Sequence, residues 1–285
     1  MRTSLWVLFL VMTAVSSYAQ HYLSPSLYNR DMNYFNPASL PIDSTSDHYV
    51  SVLGKRKFVA NDKEIWDKPV TLLANFISRT SSPKGLFSVA YLNDRYSYFS
   101  RNGIYGGYIR EIPLGRAGLS LSARGVLNVD RIRWGDLTFP VSEEGTSVRF
   151  TPDLDFGAEF GVGGFSLGAA VHNILEGKVT IREADAIRNI RAFVFHSAYR
   201  FGLGRQVKVS PYILVRLKRN ILLDAGLSAS LFNRVSLSYT LRVNELRGIY
   251  AIEARIMKKL FIGVALDRSP LYPDHNGDLL LRYQF

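Results

Sequence analysis

From residue 48 onward, apolar side chains recur at every second position along most of the chain. Leu223, Ala225, Leu227, Ala229 and Leu231 alternate with Asp224, Gly226, Ser228 and Ser230. The next stretch repeats the pattern, with Val235, Leu237, Tyr239, Leu241 and Val243 against Ser236, Ser238, Thr240 and Arg242. Leu119, Leu121 and Ala123 oppose Ser120, Ser122 and Arg124, and Ile252, Ala254 and Ile256 oppose Ala251, Glu253 and Arg255. Successive side chains of a strand point to opposite faces, so this period predicts strands with one apolar and one mostly polar face. Strands are predicted over 48–57, 69–79, 84–93, 102–112, 115–124, 152–161, 163–172, 190–202, 206–218, 221–231, 233–243, 247–257, 259–268 and 276–285. The last one ends the chain, with Leu279, Leu281, Tyr283 and Phe285 on one face and Asp278, Leu280, Arg282 and Gln284 on the other.

A final strand left at a sheet edge would present unpaired backbone groups, whereas a closed barrel pairs it on both sides. Period two alone does not separate a soluble sandwich, whose apolar face meets a core, from a membrane barrel, whose apolar face meets lipid. The connections do separate them. The long ones are 58–68, 94–101, 125–151, 173–189 and 269–275, and they alternate with short links at 80–83, 113–114, 162, 203–205, 232 and 258. Two further links, 219–220 and 244–246, are short but fall on the long-loop rim. One rim therefore carries every long loop, as in outer-membrane barrels. With both ends of the wall on one side the strand number is even, and segments of about ten residues match a tilted span. The expected fold is all-β, an antiparallel transmembrane β-barrel of about fourteen strands in contact with outer-membrane lipid. Leu281, Tyr283 and Phe285 form its closing signal, similar to the last strand of bacterial outer-membrane barrels. Tyr212, Phe232, Tyr250, Phe261, Tyr283 and Phe285 are expected as aromatic girdles at the membrane interfaces.

Residues 1–19 are expected to be a secretory signal: Arg2, the apolar run Leu5–Met12, and small residues at Ser17 and Ala19 before Gln20. That run is shorter than the ~20 residues a spanning helix needs. Residues 20–47 are rich in Pro, Asn and aromatics and break both helix and strand. This segment is either a free tail or a hatch folded in the barrel mouth, and Tyr22, Tyr28, Tyr34 and Phe35 favour the second. Residues 48–285 form the barrel.

The 285 residues include no cysteine, which excludes disulfides, thiolate metal sites and a cysteine nucleophile. The net charge of +11 does not signal nucleic acid, because the arginines are dispersed; the tight run Lys55-Arg56-Lys57 sits at a strand end. Basic residues facing a lumen or an anionic surface glycolipid account for it better. No zinc-protease, Walker or dinucleotide motif occurs, and no cofactor, metal or catalytic residue is expected. His196 and Ser197 are adjacent and point to opposite strand faces. Asp153, Asp155 and Glu159 share one face and read as ion-pair partners for lumen arginines such as Arg200, Arg216, Arg242, Arg255 and Arg282, rather than as acid/base or cation-binding groups. Glu143-Glu144 and Glu183-Ala184-Asp185 read as solvated loop charge. Gly161-Val162-Gly163-Gly164 marks a tight turn. Gly106-Gly107, Gly157, Gly168 and Gly226 serve either barrel curvature or close approach of another segment.

Asn36-Pro37-Ala38, Pro152-Asp153-Leu154-Asp155-Phe156-Gly157, His172-Asn173-Ile174-Leu175, Tyr199-Arg200-Phe201, Ser210-Pro211-Tyr212-Ile213-Leu214 and Leu281-Arg282-Tyr283-Gln284-Phe285, in this order and spacing, resemble the PorP/SprF family of type IX secretion outer-membrane proteins. The chain has Asp155 where the family more often has Asn, and His172 where Ser is usual. The resemblance implies a non-enzymatic role in secretion or surface attachment. Its partners would be secreted cargo or gliding adhesins outside and secretion components in the periplasm. It points to Asn36, Pro37, Ala38, Pro152, Asp153, Phe156, Gly157, Asn173 and Pro211 as structural or partner-binding positions. Asn36-Pro37-Ala38 is also similar to the hatch of long-chain fatty-acid transporters, which implies a plugged hydrophobic-solute channel as the rival reading.

Overall fold

In the computed structural model, the described residues are 25–40, 46–58, 70–82, 84–96, 99–133, 145–181, 184–204, 206–270 and 275–285. The expected signal at 1–19 and the acidic residues Glu143, Glu144 and Glu183 lie outside them. The strands are β1 (His48–Phe58), β2 (Val70–Ser81), β3 (Lys84–Tyr96), β4 (Phe99–Leu114), β5 (Ala117–Arg133), β6 (Thr146–Val162), β7 (Phe165–His172), β8 (Lys178–Ile181), β9 (Ala184–Arg188), β10 (Ala192–Tyr199), β11 (Phe201–Leu203), β12 (Val207–Leu217), β13 (Ile221–Leu231), β14 (Val235–Arg242), β15 (Arg247–Arg255), β16 (Leu260–Arg268) and β17 (His275–Gln284).

Wall strands pair antiparallel with their sequence neighbours, and β17 returns to β1 from Tyr49↔Gln284 to Phe58↔His275. His48 N donates to Phe285 O at 2.9 Å and Phe285 N to His48 O at 3.0 Å, so the terminal residue itself is paired. β10 and β11 are one strand in two pieces, since both pair with β12 in a continuous register, Ala198↔Tyr212 and Phe201↔Val209. The interruption falls opposite Pro211, which has no N–H to give the ladder. On the other side the ladder to β7 continues, with Arg200 N donating to Gly164 O at 2.7 Å. Counted this way, the described residues form a closed barrel of fourteen antiparallel strands. Closure satisfies the backbone of every wall strand without an edge, the condition for crossing hydrocarbon with strands.

The alternation sorts as the pattern predicts. Leu227, Leu237, Ile252, Leu279, Leu281 and Tyr283 are exposed on the outside, while Asp224, Ser228, Arg242, Glu253, Asp278 and Arg282 are buried on the inside. A pair of stacked sheets would have reversed this. Two aromatics do not belong to the girdles. Phe261 and Tyr212 fall on the inward parity, Phe261 lying beneath the Arg282 guanidinium at 4.3 Å, and Tyr212 receiving a hydrogen bond from Asn29 Nδ2 at 3.1 Å. Phe232, Tyr250, Tyr283 and Phe285 are exposed as expected.

The short turns are one or two residues displaced from their predicted places. Gly115 and Gly163 supply positive φ of 65° and 58°, values a Cβ disfavours. The 125–151 connection is mostly strand, because β5 and β6 continue to Arg133 and from Thr146 as a ladder. The 173–189 connection contains the β8–β9 hairpin, a separate two-stranded sheet. Asn189 N donates to Gly177 O at 2.9 Å and closes the hairpin base.

Candidate functional site

The interior is not uniformly polar. Leu53, Leu73, Leu92, Leu214, Ile249 and Leu280 point inward and are buried, and residues 25–40 of the chain lie against them. Pro25–Leu40 makes two short 3-10 turns, Tyr28–Arg30 and Met32–Tyr34. Leu27 packs with Leu53, Leu73, Leu92, Ile249 and Leu280. Tyr28 and Phe35 pack with Ala170, Val194 and Leu214. Each such side chain, fully buried, contributes roughly 1.5–3 kcal/mol.

Polar anchors surround these contacts. Ser26 Oγ donates to Asp278 Oδ1 at 3.1 Å. Arg30 Nη2 donates to Ser228 Oγ at 2.9 Å. Asp31 accepts from Asn75 Nδ2 at 3.1 Å and from the Ser51 hydroxyl. Arg124 holds the segment to the wall: Nη1 and Nη2 donate to the Asn33 and Tyr34 carbonyls at 3.1 and 3.2 Å. The same guanidinium is paired with Asp155 at 2.8 Å. Arg216, Arg242 and Arg282, expected as partners of such carboxylates, pair with Asp224 and Glu253 instead. Only the cross-strand register Arg124↔Asp155 reveals this partner.

Asn36-Pro37-Ala38 sits on the wall at Gly157 and Gly168. A Cβ built on Gly157 would come within 3.0 Å of Ala38 N and Pro37 Cδ, and one on Gly168 within 2.6 Å of Asn36 Nδ2. Of the two uses expected for these glycines, close approach is the one realised. Gly226 likewise makes room for the Tyr212 ring, whereas Gly106 has open space beside it. Asn36 is fully buried. Ala38 N donates to its Oδ1 at 3.1 Å, which fixes the amide orientation. Nδ2 then donates to Ala158 O at 3.0 Å and to His196 Nε2 at 2.9 Å. His196 Nε2 is therefore the acceptor of this bond and its proton is on Nδ1.

The other motif residues join the same assembly. Asp153 Oδ1 accepts from Leu154 N at 2.9 Å and Leu175 N at 3.0 Å. Asp155 Oδ1 accepts from Asn173 N at 3.0 Å. The two carboxylates thus pin the turn that follows β7, where Asn173 has φ 55° and its Nδ2 donates to Ile190 O at 3.2 Å. The two departures from the family pattern meet: His172 Nδ1 lies 3.1 Å from Asp155 Oδ2. His172 Nε2 is 2.7 Å from Phe35 O, so both ring nitrogens face acceptors. Pro152, Phe156 and Pro211 face outward and do not touch the segment.

Further ion pairs lie inside the barrel. Asp224 holds Arg216 and Arg242, each at 3.1 Å, and Glu253 holds Arg282 at 2.7 Å. Toward the short-turn rim the segment leaves a cavity of about 110 Å³, lined by Arg30, Glu159, His196, Arg200, Lys208 and Arg234 among others. Glu159 accepts from the Ser39 hydroxyl. Ser197 Oγ donates to Ser166 O at 3.1 Å rather than to His196. Among the described residues no His, Asp and Glu side chains are grouped to hold a metal ion.

The fold is similar to that of the Ralstonia pickettii toluene transporter TbuX, at TM-score 0.55 and 10% identity, covering 90% of this chain and 94% of that one. It is also similar to the P. putida toluene transporter TodX, at TM-score 0.51 and 10% identity over 88% and 92% of the two chains. A third is the CymD monoaromatic hydrocarbon channel, at TM-score 0.52 and 7% identity over 84% and 89%. At such identities the likeness is one of fold. No curated protein matches the chain. The family model for the type IX secretion system membrane protein PorP/SprF matches residues 17–271, most of the chain. Barrel and family together place the protein in the outer membrane. The chain belongs to the PorP/SprF family of type IX secretion system membrane proteins.

Proposed function

We propose that this chain works as a non-enzymatic docking barrel, holding secreted cargo or an adhesin at its long-loop rim and periplasmic secretion components at its short-turn rim. The observation that carries the reading is the asymmetry of the two rims. β5 and β6 project as long strands of 17 residues each and the β8–β9 hairpin stands beside them, whereas among the described residues the strands at the opposite rim are joined by tight turns. A projecting sheet and hairpin offer a partner surface that rigid wall strands position. The interior, occupied by residues 25–40, is suited to rigidity more than to passage.

The test is to replace 178–188 with a tight turn between Gly177 and Asn189, whose backbones already meet. Cargo or adhesin display and its co-purification with the barrel are then measured in cells. Loss of both, with the barrel still in the outer membrane, supports the reading. Unchanged display, there or after gene deletion, ends it.

A second reading is a hydrophobic-solute channel with residues 20–47 as its hatch. The segment inside the barrel favours it, and the fold neighbours described as hydrocarbon transporters keep it open. Removal of residues 20–47 should then raise planar-bilayer conductance or solute uptake. A silent barrel after removal dismisses it.

A further inference from the structure

Three Asp-Arg dipeptides stand at the long-loop ends of wall strands: Asp94-Arg95 on β3, Asp130-Arg131 on β5 and Asp267-Arg268 on β16. Adjacent strand residues face opposite sides. In each pair the acid is turned inward. Asp94 accepts from Thr71 Oγ1 at 2.7 Å. Asp130 accepts from Arg101 Nε at 2.6 Å, and Asp267 from Arg247 Nε at 2.7 Å. Each arginine is exposed on the outside. The charge of each dipeptide is thus divided, anion to the lumen and cation to the membrane face.

On β3, β4 and β5 the register aligns these cations. Arg95 pairs with Ser100, and Ser100 with Arg131, so the three form one row across adjacent strands. Arg133 lies two residues further along the same face. One step below the row are Asn93 and Asn102, with Tyr91 Oη and Asn93 Nδ2 both donating to Asn102 Oδ1 at 2.7 Å. One step lower again Tyr91, Ile104 and Leu127 are exposed apolar surface. Each step is two residues, roughly 6.8 Å along a strand. On β3 the outward face therefore passes from apolar side chain to amide to guanidinium, with Asn102 and Ser100 beside it on β4, while on β5 Val129 stands directly below Arg131. A lipid leaflet presents the same order: acyl chains, polar linkage, then phosphate. The long-loop rim of an outer-membrane barrel faces the exterior. Arginine suits phosphate because its planar fork donates two parallel hydrogen bonds.

We propose that Arg95, Arg131 and Arg133, with Ser100 between the strands, bind the phosphate groups of an anionic lipid in the outer leaflet. Arg268, with Arg56 two strands away, forms a smaller instance of the same arrangement. The site is independent of cargo recognition and tethers the projecting β5–β6 sheet at a fixed depth.

The test uses the full mature chain in detergent and native mass spectrometry with three probes: bis-phosphorylated lipid A, the same lipid stripped of phosphate, and inorganic phosphate. A cation close to an anionic surface is worth about fivefold in binding, so the triple variant R95Q/R131Q/R133Q should lose on the order of a hundredfold in affinity for the phosphorylated lipid. The R95K/R131K/R133K variant should keep most of it. Heat-modifiable electrophoretic mobility confirms that each variant is folded. Equal retention by wild type and the Gln variant would overturn the proposal. So would equal binding of the stripped lipid, or occupancy by inorganic phosphate as tight as by the lipid.

Discussion

Truncating Asn36 to Ala should release the N-terminal segment from the barrel wall. The side chain makes three buried hydrogen bonds, to Ala158 O, His196 Nε2 and Ala38 N, at 3.0, 2.9 and 3.1 Å. Asn36→Ala leaves all three partners without it, and a buried group so stranded costs about 1–3 kcal/mol. Relaxation and water entry recover part of this, so about 4 kcal/mol is expected. At 1.4 kcal/mol per tenfold, opening should become on the order of a thousandfold more frequent. The chain has no cysteine, so a reporter thiol has no background. Leu27→Cys places one at a fully buried position. Its maleimide labelling rate, compared with and without Asn36→Ala, reads the opening equilibrium when closing is fast. Rates that agree within about threefold would refute the reasoning, because the bonds to Ala158 and His196 would then not hold the segment in place.

Gly157→Val should likewise loosen the segment, since its Cβ would press on Ala38 N and Pro37 Cδ; Gly106→Ala, with nothing near its Cβ, should leave the same labelling rate unchanged. Asp224→Ala removes the carboxylate shared by Arg216 and Arg242 and should cost about 3–5 kcal/mol, read by denaturant unfolding in liposomes. Leu227→Arg, near the middle of β13 on the outward face, should cost about 2–4 kcal/mol in the same assay; no loss would mean that this face does not meet hydrocarbon.

Wall, strand number and rim asymmetry were legible because each strand carries its own evidence. Period-two alternation is local, and Leu223 to Leu231 can be read without knowing what they pair with. The ends of β5 and β6 were less legible. Beyond Leu127 and Val129 the outward positions become Arg131 and Arg133, which look like loop although the ladder continues. The inward aromatics were misread for a related reason. Phe261 lies near a strand end where a girdle is expected and Tyr212 in the middle of β12, and parity places both inside. The seat of the N-terminal segment was legible only as two motifs of small and amide residues, Asn36-Pro37-Ala38 and the glycines at 157 and 168. Their meeting depends on contacts spanning more than a hundred residues, and no periodicity reports such contacts. The Asp155–His172 pairing was visible as two separate departures from the family pattern but not as one contact.

The most direct test of the central claim, that residues 25–40 are seated inside a closed barrel, is a two-cysteine cross-link in native outer membranes. A Cβ on Gly263 would stand 3.5 Å from Leu27 Cδ1, so the two side chains are neighbours, and thiols in Leu27→Cys with Gly263→Cys should be bridged by a short bis-methanethiosulfonate reagent. The predicted result is an intrachain cross-link, seen as a shift in gel mobility that reductant reverses. Two free thiols that each label readily, with no shifted species, would contradict it.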